Sequence, residues 1–440
     1  MAVSRHHDRT KEDQRNMSSS TTAAINVGQS IQINGHTFKN RIIKGAMSEA
    51  LATPSGKVTE SLIKLYDTWG EGGLGSSITG NVMVDHRAKN EPGVVVVEDE
   101  SDLAKLKRWA SIGPKHNMVQ IVQLSHPGKQ CPKGLNRETV APSAIGFSGT
   151  MATVFGVPRA LTETEILDII RRFGESARVC EKAGFQGVQI HGAHGYLVSQ
   201  FLSPKHNHRT DQWGGSLENR MRFLLESFKE IRKQTSPGFI VGVKLNSADF
   251  QKGGFSEDDS VAVFKALDAL GVDFIEISGG TYEAPAMTGL KKKAPVKEST
   301  QQREAYFLEF AERVRKEVKT VLMVTGGFRT RAGMDAALQS GACDLIGIAR
   351  PLAVETDAPA NLVAGYNVKY AVKPVKTNIP PIDKMGVMEV IWYAAQFRAI
   401  GHGKKPNPTL SPLVVFLRYM RGSIRDMVIG KKPMITRQRA

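Results

Sequence analysis

The sequence predicts an α/β chain built as a closed (β/α)8 barrel, with a hairpin cap before it and a basic helical extension after it. Three observations carry that expectation: eight short apolar runs alternate with segments of helical period, glycine repeatedly stands between helix and strand, and the excess positive charge is confined to the C-terminal end. Parallel strands covered on both faces read as near-continuous apolar runs, and right-handed crossovers put a helix between successive strands. Eight such units suit a closed barrel better than an open sheet.

The elements follow in chain order. Residues 1–27 are polar, rich in Ser and Thr and without an apolar core, so they read as a disordered leader and not as a signal peptide. Residues 30–38 form a hairpin pattern turning at Asn34-Gly35. The apolar runs lie at 41–47, 76–82, 118–124, 185–191, 239–245, 274–278, 321–324 and 344–348. Helical segments fall between them at 60–69, 101–115, 162–183, 216–235, 256–270, 303–319 and 330–340. Gly184, Gly238, Gly271 and Gly341 mark the passages back into strands, where a left-handed residue ends a helix. The barrel is expected to span 28–365 and the extension 366–440.

Composition narrows the class further. Of 440 residues, 59 Lys+Arg stand against 43 Asp+Glu, a formal +16, but from Tyr366 onward 14 Lys+Arg face 3 Asp+Glu. The barrel is therefore nearly balanced and the charge belongs to the tail. A 41% hydrophobic content excludes a disordered or fibrous chain. Cys131, Cys180 and Cys343 are odd in number and far apart, which excludes a disulfide framework and a four-cysteine cluster; a reducing, cytoplasmic setting is expected. No apolar run approaches the roughly 18 residues that cross a bilayer.

In the tail, 385–400 carries Trp392, Tyr393 and Phe397 at helical spacing, and 412–429 mixes Leu413, Phe416 and Leu417 with Arg418, Arg421 and Arg425. The second segment packs on the barrel or on a partner subunit of a homo-oligomer, or else lies on an anionic membrane surface; packing is the expected case. No recognised nucleic-acid motif accompanies the charge, so no nucleic-acid partner is expected.

Gly70-Glu-Gly72-Gly-Leu-Gly75 matches the dinucleotide fingerprint, but it follows a helix and opens a strand, the reverse of what that motif requires. It reads as a turn. A better phosphate site lies where Gly326, Gly327 and Arg329 end the seventh run and Ala349-Arg350-Pro351 ends the eighth. Backbone amides at a helix start, small residues and a guanidinium converge there. Either segment alone reads as turn glycines with a surface arginine.

The densest polar cluster follows the fourth run: Gln189-Ile-His191-Gly-Ala-His194-Gly-Tyr196, with Gln200, Asn207, Arg209 and Asp211 beyond. Gly192 and Gly195 argue against a metal-binding helix, and no third ligand stands at suitable spacing. Core histidines are the other plain reading. Two imidazole donors beside a phenol would form an electrophilic site with a proton donor.

These residues resemble the Old Yellow Enzyme family, the FMN-dependent ene-reductases also called NADH:flavin oxidoreductases, and its fungal members most. The matching stretches are Asn40-Arg-Ile42, Val122-Gln123-Leu124-Ser-His126-Pro-Gly128, Ala141-Pro-Ser143, the histidine block, Asp211-Gln-Trp-Gly-Gly-Ser216, Gly326-Gly-Phe328 and Ala349-Arg-Pro351, within 30–365. The resemblance implies a TIM barrel holding noncovalent FMN. Ala46, Met47 and Ser48 would meet the flavin after strand one, with Ser48 at its C4 carbonyl. Gly80 or Asn81 would touch the ring through backbone, and Gln123 would bond the pyrimidine edge. Lys244 would stand beside N1, where relatives usually carry arginine. Gly326, Gly327, Ala349 and Arg350 would hold the phosphate.

His191 and His194 match the pair that binds a substrate oxygen, and Tyr196 matches the proton donor. The implied reaction takes hydride from NADPH or NADH and then reduces an enone or related alkene, in ping-pong order. A flavin-dependent isomerase or dehydrogenase of a specialised pathway is the alternative, and a noncatalytic basic binding protein a more distant one.

Overall fold

In a computed structural model, residues 24–149, 151–281, 307–366, 369–370, 374–383 and 388–430 are described. Eight parallel strands close into a barrel: Ile42–Lys44, Ser76–Met83, Val119–Ser125, Gly187–Gly192, Ile240–Asn246, Phe274–Ser278, Val321–Thr325 and Leu345–Ile348. Closure is direct, since the eighth strand pairs Ile346 with Ile42 and the first pairs Ile43 with Ser76. All eight apolar runs became barrel strands. The short strand Val95–Val96 adds outside the second, pairing Val82 with Val95, and was not foreseen.

Alternation along the strands separates two cores. Ile43, Ile78, Val119, Ile121, Ile240, Phe274, Met323 and Leu345 point to the axis and form the floor. Their neighbours, such as Val188, Ile190, Val243 and Ile275, point outward into the layer beneath the helices. The hairpin Ile31–Ile33 and His36–Phe38 seals the lower end, with Ile33 and Phe38 joining the floor. Asn34 at φ 44° and Gly35 at φ 80° make its turn, both positions needing the left-handed region.

Helix ends follow local chemistry. Thr162 caps helix Glu163–Ala183, Glu165 completes the capping box, and Gly184 at φ 99° ends it. The segment expected as one helix over 101–115 is broken into Leu103–Ala110 and Ile112–Lys115, because Pro114 cannot supply the amide a continuous helix needs. The segment expected at 303–319 yields Leu308–Arg315, its first residues lying outside those described. Gly72 closes helix Glu60–Glu71 and leads into strand two, so Gly70–Gly75 is a helix-to-strand turn. The leader lies almost wholly outside the described residues.

Past the barrel, helix Met388–Gly401 docks on helix Glu60–Glu71. Phe397 meets Trp69 edge-on at 5.3 Å, and a Cβ on Gly401 would stand 2.5 Å from the Ser61 carbonyl, so only glycine fits. Helix Pro412–Gly430 packs on Met388–Gly401 through buried Val415, while Leu417, Tyr419 and Met420 stay exposed. Among the described residues no helix is long and apolar enough to cross a membrane.

Candidate active site

Above the apolar floor the inward positions turn polar. With period two, Ile240 on the floor puts Lys244 and Asn246 inward, Phe274 puts Glu276 and Ser278 inward, and strand four adds Gln189 and His191. Gln189, Glu276 and Lys244 join with Gln123 of strand three into one arc. Gln123 Nε2 donates to Gln189 Oε1 at 2.8 Å, Gln189 Nε2 donates to Glu276 Oε2 at 2.8 Å, and Lys244 Nζ lies 2.9 Å from Glu276 Oε1. Lys244 therefore stands at the strand-five end as an ion pair and not as an isolated cation.

The histidine block leaves strand four and doubles back. His194 at φ 61° and Gly195 at φ 78° are both left-handed, which reverses the chain before helix Leu197–Leu202. Asn246 Oδ1 accepts the His194 amide at 3.3 Å and Gln200 Nε2 donates to the Gly195 carbonyl at 2.7 Å, so the reversal is tied on both sides. It brings the three aromatic side chains together: His191 and His194 centroids are 5.1 Å apart, and His191 and Tyr196 centroids 4.8 Å.

The proton positions follow from partners. His191 Nδ1 accepts the Ala193 amide at 3.3 Å, which puts the ring proton on Nε2. His194 Nε2 is 2.8 Å from Ser278 Oγ, which orients that ring. Burial holds both imidazoles well below their ordinary pKa, His194 and Lys244 pushing His191 further and Lys244 pushing His194 further, so both are neutral near pH 7. The Tyr196 hydroxyl oxygen accepts Asn81 Nδ2 at 3.4 Å and Asn90 Nδ2 at 3.3 Å.

The neighbouring wall carries the half-buried turn Ala46, Met47 and Ser48, with Glu49 buried behind it. Strand two shifts register between Ile78 and Asn81, and Gly80 lies at that bulge. Ser48 hydrogen-bonds Glu91, whose carboxyl is pushed up to about 7 by burial, with the Ser48 bond opposing and the Glu49 charge adding to the rise. At the ends of strands seven and eight, Gly326 and Gly327 are left-handed at φ 111° and 102°, and Ala349 and Arg350 lead into the turn Arg350–Ala353. The two strand ends are neighbours, Thr325 pairing with Gly347. Arg350 Nη1 lies 3.5 Å from Glu389 Oε2 on the docked C-terminal helix.

The donor set fits a flavin mononucleotide. Asn81 Oδ1 and Thr325 Oγ1 are buried without a hydrogen-bond partner among the described residues, at the ends of strands two and seven. Side-chain amides, hydroxyls and a lysine suit a polar heterocycle, and left-handed glycines beside an arginine suit a phosphate.

Sequence reasoning named Tyr196, His191, His194, Ala46, Met47, Ser48, Gly80, Asn81, Gln123, Lys244, Gly326, Gly327, Ala349 and Arg350, and these residues all lie in the C-terminal halves of barrel strands or on the turns that follow them. It missed Asn90, Asn246, Glu276 and Ser278. Strict alternation would have found the last three, because each shares the inward face of its strand. No local pattern marks Asn90.

Residues 28–368 match the NADH:flavin oxidoreductase / NADH oxidase family. The NADH-dependent flavin oxidoreductase iliE of Hypocrea jecorina (strain QM6a) is 38% identical over 355 residues, covering 76% of this chain and 88% of that protein. The NADH-dependent flavin oxidoreductase iccE of Talaromyces variabilis is 36% identical over 361 residues, covering 78% and 87%. A 2-naphthoyl-CoA reductase, solved with 2-naphthoyl-CoA, superposes with a TM-score of 0.71 at 26% identity; the match spans 78% of this chain and about half, 53%, of that one. The old yellow enzyme homologue from Zymomonas mobilis, at 24% identity, shares the fold with a TM-score of 0.68 over 79% of this chain and 95% of its own. The chain belongs to the NADH:flavin oxidoreductase / NADH oxidase family, an oxidoreductase with FMN as cofactor and a nicotinamide dinucleotide as co-substrate.

Proposed function

We propose that the protein reduces an activated alkene, one conjugated to a carbonyl or nitro group, with hydride drawn from NADH or NADPH. The supporting observation is the meeting of two neutral imidazoles and a phenol at the barrel mouth, with centroids 4.8 and 5.1 Å apart. His191 and His194 bond the substrate oxygen and withdraw density from the conjugated carbon. Being neutral, they orient that oxygen without giving it a proton. Tyr196 gives its proton to the α-carbon, and the Asn81 and Asn90 amides on its oxygen stabilise the charge that develops there. Ser48, Gly80, Gln123 and Lys244 would hold the flavin ring, and Gly327 and Arg350 its phosphate. Bound FMN supplies the two-electron hydride carriage between nicotinamide and alkene.

The names of the fungal relatives favour NADH as the donor. Anaerobic stopped-flow measurements separate the two half-reactions. Tyr196→Phe leaves cofactor reduction by NADH within about twofold and slows reoxidation by a small enone at least ~100-fold, the span general acids contribute. Equal loss in both halves would sink the assignment.

A further inference from the structure

A buried charged network sits on the far side of the barrel wall from the histidines. Lys44, the last residue of strand one, points outward into the layer beneath helix Glu60–Glu71 and is fully buried. Its Nζ donates to the Ile78 carbonyl at 2.8 Å and to the Gly45 carbonyl at 3.3 Å, lies 3.4 Å from Glu49 Oε1, and stands 4.7 Å from the Trp69 ring. Glu49 Oε1 also accepts the Tyr66 hydroxyl at 2.5 Å and the Gly80 amide at 3.0 Å. Burying an ion pair costs more than burying apolar groups of the same shape, so its presence calls for a structural reason.

The reason lies in what the network grips. Ile78 precedes the register shift of strand two and Gly80 lies inside it, so the gripped amide is that of the bulge. On the other edge, Thr79 Oγ1 accepts the Gln123 amide at 2.9 Å. A bulge re-aims the side chain that follows it. That side chain is Asn81, whose amide reaches the Tyr196 hydroxyl. Gly80 admits no side chain: a Cβ there would meet Glu49 Oε2 at 2.0 Å and the Met47 carbonyl at 2.3 Å.

We infer that Lys44, Glu49 and Tyr66 are positioning residues, fixing the Gly80 bulge and through it the Asn81 amide on the proton donor. The inference rests on the reading of Tyr196 as that donor. A double-mutant cycle in the full-length, FMN-saturated enzyme tests it. Glu49→Gln keeps the side chain's size while removing its charge, and slows alkene reduction about tenfold, the equivalent of ~1.4 kcal/mol. Reduction by NADH, which shares only the Gly80 contact with the flavin, falls less than alkene reduction does, and once that shared loss is divided out Glu49→Gln adds nothing in a Tyr196→Phe background, where no hydroxyl remains to be placed. Tyr66→Phe, a milder change, gives the same pattern at smaller size and serves if Glu49→Gln does not fold. In the apo protein, the carbon-13 resonance of Tyr196 Cζ, assigned by its loss in Tyr196→Phe, shifts in either variant. Multiplicative losses in the cycle, or an unmoved resonance, overturn the positioning role alone. Full alkene turnover in Tyr196→Phe overturns the donor reading and this inference with it.

Discussion

Two buried lysines, each paired with a glutamate, sit on opposite faces of the same barrel wall. Lys44 and Glu49 lie behind strand one at 3.4 Å, and Lys244 and Glu276 lie inside the mouth at 2.9 Å. Their partners differ in kind. The outer pair grips backbone: the Ile78 and Gly45 carbonyls and the Gly80 amide. The inner pair touches side chains, Glu276 receiving Gln189 and through it Gln123. Similar ion pairs therefore do different work, one setting the path of the chain and the other setting the charge seen by whatever fills the mouth.

Replacing each pair by apolar residues exposes that difference most strongly. Lys44→Met/Glu49→Leu strands the buried Ile78 and Gly45 carbonyls, each costing roughly 1–3 kcal/mol, so the apo protein loses about 2–6 kcal/mol. Lys244→Met/Glu276→Leu strands one side-chain amide and costs about 1–3 kcal/mol. Chemical denaturation of both apo double variants reads the comparison directly. Equal losses would break it.

Acid sharpens it next. The inner pair is crowded by imidazoles, whereas aromatic rings face Lys44. Burial and the Lys244 charge depress the folded-state pKa of His191 and His194, so below about pH 6.5 the unfolded chain takes up protons that the folded chain refuses. Stability is then lost as pH falls, by roughly 1.4 kcal/mol per pH unit for each histidine until its folded pKa is reached. His126 and His206, pushed down to about 4 and about 3 by burial, add to the same window and do not depend on Lys244. Lys244→Met/Glu276→Gln removes one of the causes that hold His191 and His194 down, and so brings the acid loss of stability they cause to an end at a higher pH than in the wild type. An unchanged loss would show that Lys244 does not reach the histidines.

What the sequence disclosed follows the same division. The strands were legible because their apolar runs are local and long. The histidine block was legible because Gly192 and Gly195 rule out a helix within a short stretch. Lys244 was found, but its partner was not: Glu276 sits in the run Phe-Ile-Glu-Ile-Ser, where alternation gives its face and says nothing about which strand lies alongside. Lys44 and Glu49 were passed over because their meaning depends on Gly80, 31 residues further on, and on a register shift no pattern announces. Asn90 and Tyr196 are separated by 106 residues and meet only once the barrel has closed.

The smallest effect is the most specific to the cofactor. Glu276 offsets part of the Lys244 charge, so removing only the negative partner leaves Lys244 freer to favour the anion that reduction would produce near it. Glu276→Gln keeps an acceptor for Gln189 and raises the midpoint potential of bound FMN by about 30 mV, a tenfold change in the ratio of reduced-state to oxidised-state affinity for a two-electron couple. Lys244→Met lowers it. The two shifts, read by dye equilibration under anaerobic conditions, must have opposite signs if the pair faces the flavin. Lys44→Met, on the far side of the wall, serves as the control, and a shift there as large as that of Lys244→Met would mean the wall does not separate the two lysines electrostatically.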